Sequence, residues 1–270
     1  AREYVLYRAE RANQRAIETH IHNRPEKEDL PTSERIEIIA QEACLGLGGT
    51  ESQKIISEAN KNLYEGAPEH EIKEALVLSA RSLVEIEPNY TYATARILLD
   101  SLRTEALSFL DIADNATHKE MQTLYPQALS SFIEKGIELD LINPELANFD
   151  LIALGKALKP DNDLLFSYLG LQTLYDRYFI HSNETRLELP QVFFMRVAMG
   201  LALNEDNREQ RALEFYELLS SFDYMSSTPT LFNAGTKHSQ LSSCYLTTVP
   251  DDLHGIYGAL QDNAMLSKWA

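Results

Sequence analysis

Hydroxyls, a proline, a glycine and one cysteine crowd into a single stretch near the end of the sequence, Ser226 to Leu253, which reads SSTPTLFNAGTKHSQLSSCYLTTVPDDL. Thr228 stands before Pro229, which biases it to an extended backbone and leaves its hydroxyl free of a ladder. Asn233, Ala234 and Gly235 follow as a turn whose N–H groups can face phosphate oxygens. Ser243 to Val249 then alternates well enough for a strand, with Cys244, Leu246 and Thr248 on one face and Tyr245 and Thr247 on the other. A thiol on a strand, beside hydroxyls and a turn rich in N–H groups, suits an anionic substrate and redox chemistry together. Asp251 and Asp252 close the stretch where a new amphipathic helix, Leu253 to Lys268, begins, and carboxylates there complement the positive end of a helix. By composition alone the loop also reads as a plain surface turn, and Cys244 as a structural thiol.

The elements that must position these residues read almost entirely as helix. Arg2 to Ile17 is a charged helix, and the polar, proline-bounded His20 to Pro31 is a linker. Four helical segments follow. The first runs from a Thr32/Ser33 cap to about Leu45, stopped by Gly46, Gly48 and Gly49. The second starts at a Thr50/Gln53 capping box and ends near Gly66. The third runs from Glu69 to Ile86, burying Ile72, Ala75, Leu76, Leu78, Ala80 and Leu83, and the fourth from Tyr92 to Ser108, burying Ala93, Ile97, Leu98 and Leu102. Asp111 to Pro160 is a polar connector with helices, in which Thr117/Glu120 forms a capping box, Pro126 kinks the chain and Gly136 closes it. Strong helices then span Leu165–Tyr178, Pro190–Ala202 and Asn207–Ser221, with Pro190 in a first turn and Asn207/Gln210 as a cap. Phe166, Tyr168, Tyr175, Tyr178, Phe193, Phe194, Phe215 and Tyr216 recur at helical spacing and read as core rather than as a stacking or radical-relay surface.

Composition sets the outer limits. At 270 residues, 44% hydrophobic and 24% charged, the chain is globular and long enough for one or two domains. A formal charge of −17 argues against nucleic acid as a partner, because a basic patch is the expected footprint of such a groove. No apolar run reaches the length of a membrane span, and the opening AREYVLYRAER is a charged helix rather than a signal peptide. The two cysteines, Cys44 and Cys244, lie far apart and suggest a reducing compartment, with cytoplasm as the default. Cys44, among apolar neighbours, reads as a buried small residue. His20, His22 and His70 lack the spacing of a metal site, and no metal ligand set is expected.

STPTLFNAGT…QLSSCYL…DDL, followed by IYGAL…NAMLSKWA, resembles the large, catalytic subunit of class I ribonucleotide reductases. The close resemblance covers roughly Asp163 to Ala270, including FSYLGLQTLYDRYF and MRVAMGLALNE, and weakens towards the first residue. It implies reduction of ribonucleoside diphosphates to deoxyribonucleoside diphosphates. Thr228 and Ser243 would bind the substrate, and Cys244, against the ribose, would be one of a redox-active cysteine pair. The partner cysteine and the radical-bearing cysteine are expected beyond Ala270, so the chain reads as an N-terminal fragment that alone should not turn over. Asp251, Asp252, Leu253 and Lys268 would line the site for a deoxynucleoside triphosphate or ATP effector. The implied partners are a small subunit whose metal centre supplies the radical, thioredoxin or glutaredoxin, and a second copy packed through Ile256, Leu260, Ala264 and Leu266.

The same resemblance divides the chain. Residues 1–31 are similar to the end of an upstream ATP-cone module with its linker, and 32–110 to a degenerate ATP cone carried by LYEGAPEHEIKEALVLSA and ARILLDSLR. Residues 111–221 correspond to the helical N-terminal domain, and 222–270 to the start of the catalytic α/β barrel. The cone lacks its opening strands with a Lys-Arg-Asp-Gly type turn, has Glu69 where a hydroxyl is expected, and has Thr104 and Glu105 in place of a basic pair. Carboxylates facing a triphosphate repel it, so this cone is expected to have lost ATP. The expected fold is therefore mostly α, leading into the first strand of a ten-stranded α/β barrel. A non-catalytic helical nucleotide-sensing or assembly module is the alternative, which the intact SSCYL disfavours because a sensor needs no thiol beside a ribose.

Overall fold

The computed structural model describes residues 34–64 and 67–269. The expected helix over 2–17, the linker with His20 and His22, the Thr32/Ser33 cap and Gly66 lie outside the described residues. Helix dominates, as the periodicity requires. The elements are α1 (Glu34–Cys44), α2 (Ser52–Asn62), α3 (Glu69–Ser82), α4 (Tyr90–Phe109), α5 (Met121–Glu138), α6 (Leu151–Lys156) and α7 (Tyr168–Arg177), then the hairpin β1 (His181–Ser182) and β2 (Thr185–Arg186), then α8 (Pro190–Ala202), α9 (Arg208–Ser220), α10 (Thr228–Asn233) and α11 (Leu253–Trp269). Short 3-10 turns stand at Leu83–Glu85, Pro144–Asn148 and Pro160–Leu165. No helix among the described residues is long and apolar enough to cross a membrane. The chain divides into two compact units, with the division inside α4 between Ile97 and Leu98.

In the first unit, α1 packs on α2 and α2 on α3. Gly46 and Gly49 take φ of 74° and 78°, the left-handed conformation that ends α1 and turns the chain. Arg96 completes that end from a distance, donating from Nη1 to the Leu45 carbonyl at 2.7 Å and to Ala43 at 3.2 Å. The Thr50/Gln53 capping box does not form. Thr50 Oγ1 instead donates back to the Leu47 carbonyl at 3.0 Å, and the N-cap of α2 is Glu51, whose N–H is accepted by the buried Tyr90 hydroxyl at 2.9 Å. A tertiary partner has displaced the local one. Leu76 and Ala80 in α3 and Leu83 in the 3-10 turn after it are buried as expected, but Leu78 is half exposed and Val77 is buried. Two residues along a helix turn the side chain by about 200°, so Leu78 cannot share the Leu76 face. Cys44 is half-buried, and burial pushes its thiol up from the ordinary value, so it is a poor nucleophile.

In the second unit the core is α8. Every residue from Pro190 to Met199 is buried, so the helix is apolar around most of its circumference and is covered by neighbours on all sides. Its strongest packing is against α9, across the short 203–207 connection. Phe166, Phe193, Phe194 and Tyr216 are core as expected, whereas Tyr168, Tyr175, Tyr178 and Phe215 are only half-buried. Several local readings are corrected here. Gly136 does not close α5, which runs on to Glu138; a Cβ there would meet Ile142 Cγ1 at 2.4 Å, so the glycine admits a close approach. Pro126, expected to kink the chain, sits inside α5, and α6 packs there so closely that a Cβ on Gly155 would fall 2.9 Å from Pro126 Cα. The Thr117/Glu120 box is half-made, with the carboxylate accepting from the Thr117 N–H and hydroxyl while the helix begins only at Met121. Asn207 makes no side-chain cap, and Gln210 reaches Glu214 instead.

The last expected element is absent. Residues 239–250 carry no regular structure, and the alternation of Ser243–Val249 does not become a strand. A strand needs an edge to pair with, and among the described residues the only ladder is the small hairpin, with His181 opposite Arg186 and Ser182 opposite Thr185. The barrel is accordingly not part of the described fold.

Candidate functional site

Thr228 is the first residue of α10, not an extended residue ahead of it; the extended position is the N-cap Ser227, with ψ of 156°. The proline restriction is overridden because a first-turn proline needs no donor and suits a helix start. Thr228 is exposed, and its hydroxyl lies 3.1 Å from the Tyr178 hydroxyl. One turn on, Phe232 stacks on the same tyrosine ring with centroids 4.4 Å apart. The Asn233–Gly235 turn does not present its amides outward. The Ala234 N–H goes to Thr230 and the Thr236 N–H to Asn233, and Ala234 and Gly235 are buried. Gly235, at φ 75°, fits where any Cβ on Gly200 would fall 2.1 Å from its nitrogen, so α8 and the turn touch backbone to backbone.

Beneath α10 lies a buried ion pair that the sequence reading passed over. Arg196 and Glu188 are both fully buried, with Arg196 Nε donating to Glu188 Oε1 at 2.7 Å and Nη2 to Oε2 at 3.2 Å. The remaining N–H groups of the guanidinium go to the end of α10, with Nη1 reaching Ala234 O at 2.7 Å and Leu231 O at 3.3 Å. These are among the carbonyls a helix leaves unpaired at its C-terminus, so Arg196 caps α10 from another helix. Glu188 Oε2 also accepts the Ile180 N–H at 2.9 Å. The signal was available: an arginine and a glutamine inside the apolar run PQVFFMRVAMGLA are buried polar groups that must find partners.

A second polar brace crosses the same core. Asp163, fully buried, accepts from Tyr125 Oη at 2.7 Å and from Gln191 Nε2 at 2.8 Å, with Arg103 Nη2 at 3.9 Å. Tyr216 donates to Gln191 at 2.7 Å and accepts the Lys159 N–H at 2.8 Å. Burial pushes the Asp163 carboxyl above its ordinary range, opposed chiefly by Arg103, and pushes the Tyr216 hydroxyl up as well.

The other predicted site residues lie on the exposed segment and helix that follow. Ser243 and Cys244 are exposed neighbours, Oγ 3.8 Å from Sγ. Their segment is tied to α10 through Asn233 Nδ2 and the Gln240 carbonyl, at 2.6 Å, and to α11 through Thr247 and Asn263, at 3.1 Å. Asp252 caps α11, accepting the Gly255 N–H at 2.8 Å, while Asp251 and Leu253 are exposed beside it. Lys268 stands at the far end of α11 over the Trp269 ring, about 22 Å along the helix from Leu253. The two halves of the expected effector site therefore do not meet within one copy. Ile256 and Leu260 stand 39% and 57% exposed, and Ala259 is the residue of α11 that is buried. Glu105, expected where a cone would offer a basic residue, faces its own unit, accepting from Tyr175 Oη at 2.7 Å and lying 3.6 Å from Arg186 Nη1.

The profile of the family "Ribonucleotide reductase, all-alpha domain" matches residues 164–239, the stretch that holds α7, α8, α9 and α10. The alpha subunit of the ribonucleoside-diphosphate reductase of Chlamydia muridarum is 42% identical over the whole of this chain, which covers 27% of that relative. The corresponding subunit of Helicobacter pylori is 35% identical over 87% of the chain, covering 28% of the relative, and the large subunit of Danio rerio is 32% identical over 85%, again covering 28%. Over most or all of its length the chain is similar to ribonucleoside-diphosphate reductase large, or alpha, subunits. It spans little more than a quarter of the length of these relatives.

Proposed function

We propose that the chain is the helical and substrate-loop part of a class I reductase catalytic subunit that converts ribonucleoside diphosphates to deoxyribonucleoside diphosphates. The observation that carries this is the 42% identity over the whole of the chain to a ribonucleoside-diphosphate reductase alpha subunit. In this reading Thr228 and Ser243 hold the diphosphate substrate and Cys244 faces the ribose. Cys244 and a second cysteine outside this sequence close to a disulfide and release two electrons and two protons, while the 2′ C–O bond breaks, hydrogen takes its place and water leaves. The exposed, hydroxyl-flanked position of Cys244 supports this role, since a thiol that exchanges electrons must be reachable.

The same reading assigns a small subunit as the source of the radical, thioredoxin or glutaredoxin as the reductant of the disulfide, and the cytoplasm as the compartment. Asp251, Asp252, Leu253 and Lys268 take the deoxynucleoside triphosphate or ATP effector. Two copies paired antiparallel along α11 would bring the Asp251 end of one to the Lys268 end of the other, which the separation of these residues in one copy and the exposed Ile256 and Leu260 support. The degenerate cone is assigned no ATP, because Glu105 is engaged with Tyr175 and Arg186. Differential alkylation of the intact enzyme tests the centre of the proposal. After one round with a ribonucleoside diphosphate, small subunit present and reductant absent, Cys244 should pass from free thiol to disulfide. If it stays alkylatable while product forms, its redox role is wrong.

A further inference from the structure

We infer that Tyr178, Glu188 and Arg196 are positioning residues for the substrate hydroxyl of Thr228, joined with α10 into one closed frame. The inference rests on the reading of Thr228 as a diphosphate contact and names what holds that contact in place.

The frame is closed by bonds that can be followed in order. Thr228 Oγ1 meets Tyr178 Oη at 3.1 Å. Two residues along the backbone from Tyr178, the Ile180 N–H is held by Glu188 Oε2 at 2.9 Å. Glu188 binds Arg196 through both carboxylate oxygens, and Arg196 grips the carbonyls of Leu231 and Ala234. The six residues of α10 lead back to Thr228. A helix this short has no stability of its own, since nucleation outweighs the few bonds it makes. Its orientation is therefore set from outside, by the guanidinium at its C-terminal end and by the Tyr178 ring and hydroxyl along its length.

The chemistry of each member fits this task. Arginine presents donors in a rigid fork, so it satisfies two carboxylate oxygens on one side and two carbonyls on the other without moving. Lysine carries a point charge and cannot span both. The pair is fully buried, so no water competes for these bonds. Tyr178 is only half-buried, with its ring stacked on Phe232 and its hydroxyl at the surface beside Thr228. Removing that hydroxyl alone leaves the stack intact, which separates positioning from packing.

The test is steady-state kinetics of the intact reductase with its small subunit and a thiol reductant, varying CDP, on Tyr178→Phe, Thr228→Ala, their double variant and Arg196→Lys. Thr228→Ala should raise KM about tenfold with kcat little changed, the mark of a contact made equally in ground and transition states. Tyr178→Phe should raise KM about threefold without lowering the melting temperature, and add nothing in the Thr228→Ala background, because it acts through that hydroxyl. Arg196→Lys should raise KM together with faster hydrogen exchange at the Ala234 and Thr236 amides. The inference is overturned if Tyr178→Phe leaves KM unchanged while Thr228→Ala raises it, or if their effects multiply. If Thr228→Ala itself leaves KM unchanged, the diphosphate reading of Thr228 fails and the inference falls with it.

Discussion

Replacing Arg196 by methionine removes both the partner of a buried carboxylate and the donors that end α10. Glu188 is fully buried and would keep the Ile180 N–H as its remaining hydrogen bond. Breaking a buried pair from one side costs about 3–5 kcal/mol, mostly through the uncompensated charge. Replacing both residues, Glu188→Leu with Arg196→Met, removes that charge and should recover much of the loss, since a buried pair is often close to neutral against apolar groups of similar volume. Recovery should nonetheless be incomplete. The carbonyls of Leu231 and Ala234 and the N–H of Ile180 stay behind without these partners, at about 1–3 kcal/mol for each buried group left unsatisfied.

The assay pairs urea unfolding with hydrogen exchange at Ala234 and Thr236, whose amides bond to Thr230 and Asn233 and so report on α10 and its exit turn. The expected order is wild type most stable, the double variant intermediate and Arg196→Met least, with both amides exchanging faster in both variants. A double variant as stable as wild type with protected amides would refute the reasoning, because the guanidinium would then be balancing Glu188 and holding nothing else.

The remaining expectations concern the supports around that frame. Asp163 holds its proton more tightly folded than unfolded, so its contribution is fully present below the unfolded carboxyl pKa, about 3.9, and is lost as pH rises through the raised folded value. Wild type should therefore lose stability relative to Asp163→Asn as pH rises above about 4 in chemical denaturation, and the opposite trend would contradict the assigned burial effect. Gly200→Ala should lower stability by about 1–3 kcal/mol, read as a fall in melting temperature, because its Cβ would meet the backbone of Gly235 rather than a side chain able to yield. Tyr90→Phe should cost about 1 kcal/mol by removing the acceptor of the Glu51 N–H, whereas Gln53→Ala should be nearly neutral by thermal unfolding, since the local capping box is not made.

Periodicity was sufficient for long helices and insufficient for everything that depends on a distant partner. Pro190–Ala202 is recovered to the residue, since thirteen positions of apolar sequence behind a first-turn proline leave one solution. The capping boxes at Thr50 and Asn207 failed because Ser, Thr and Asn signatures describe what local backbone can offer, and Tyr90, far along the chain, outbid it at Glu51. The hairpin at His181–Arg186 was not foreseen because its turn is Asn183-Glu184, at φ of 48° and 67°, where Asn-Gly would have announced it. The alternation of Ser243–Val249 was real in sequence, but alternation says which faces a strand would have and not whether an edge exists to receive it. Of the proposed site, Thr228, Ser243 and Cys244 were readable as chemistry, while the groups beneath Thr228 were hidden in apolar surroundings.

That division between readable chemistry and hidden support follows from where the two must sit. Groups that meet substrate have to be reachable, and Thr228, Ser243 and Cys244, the residues proposed for that role, are all exposed. An exposed hydroxyl on a six-residue helix has no means of fixing its own direction, so direction has to come from bonds that water cannot contest, which only buried groups can make. Burying a charge is tolerable when every donor and acceptor is used, and Arg196 and Glu188 meet that condition by binding each other and then the backbone of the two segments, 178–180 and 231–234, that bracket Thr228. The backbone carbonyls could be capped by any donor, and the Ile180 N–H by any acceptor. Joining both through one ion pair ties the two segments to each other. Ser243 and Cys244 are tied differently, through a single side-chain bond to α10 and another to α11 on a segment without a ladder. The threonine side of the site is thus set by the helical core, and the cysteine side is left to be set by what pairs with residues 243–249, so substitutions in the Arg196 frame should act on substrate KM and leave the alkylation rate of Cys244 unaltered.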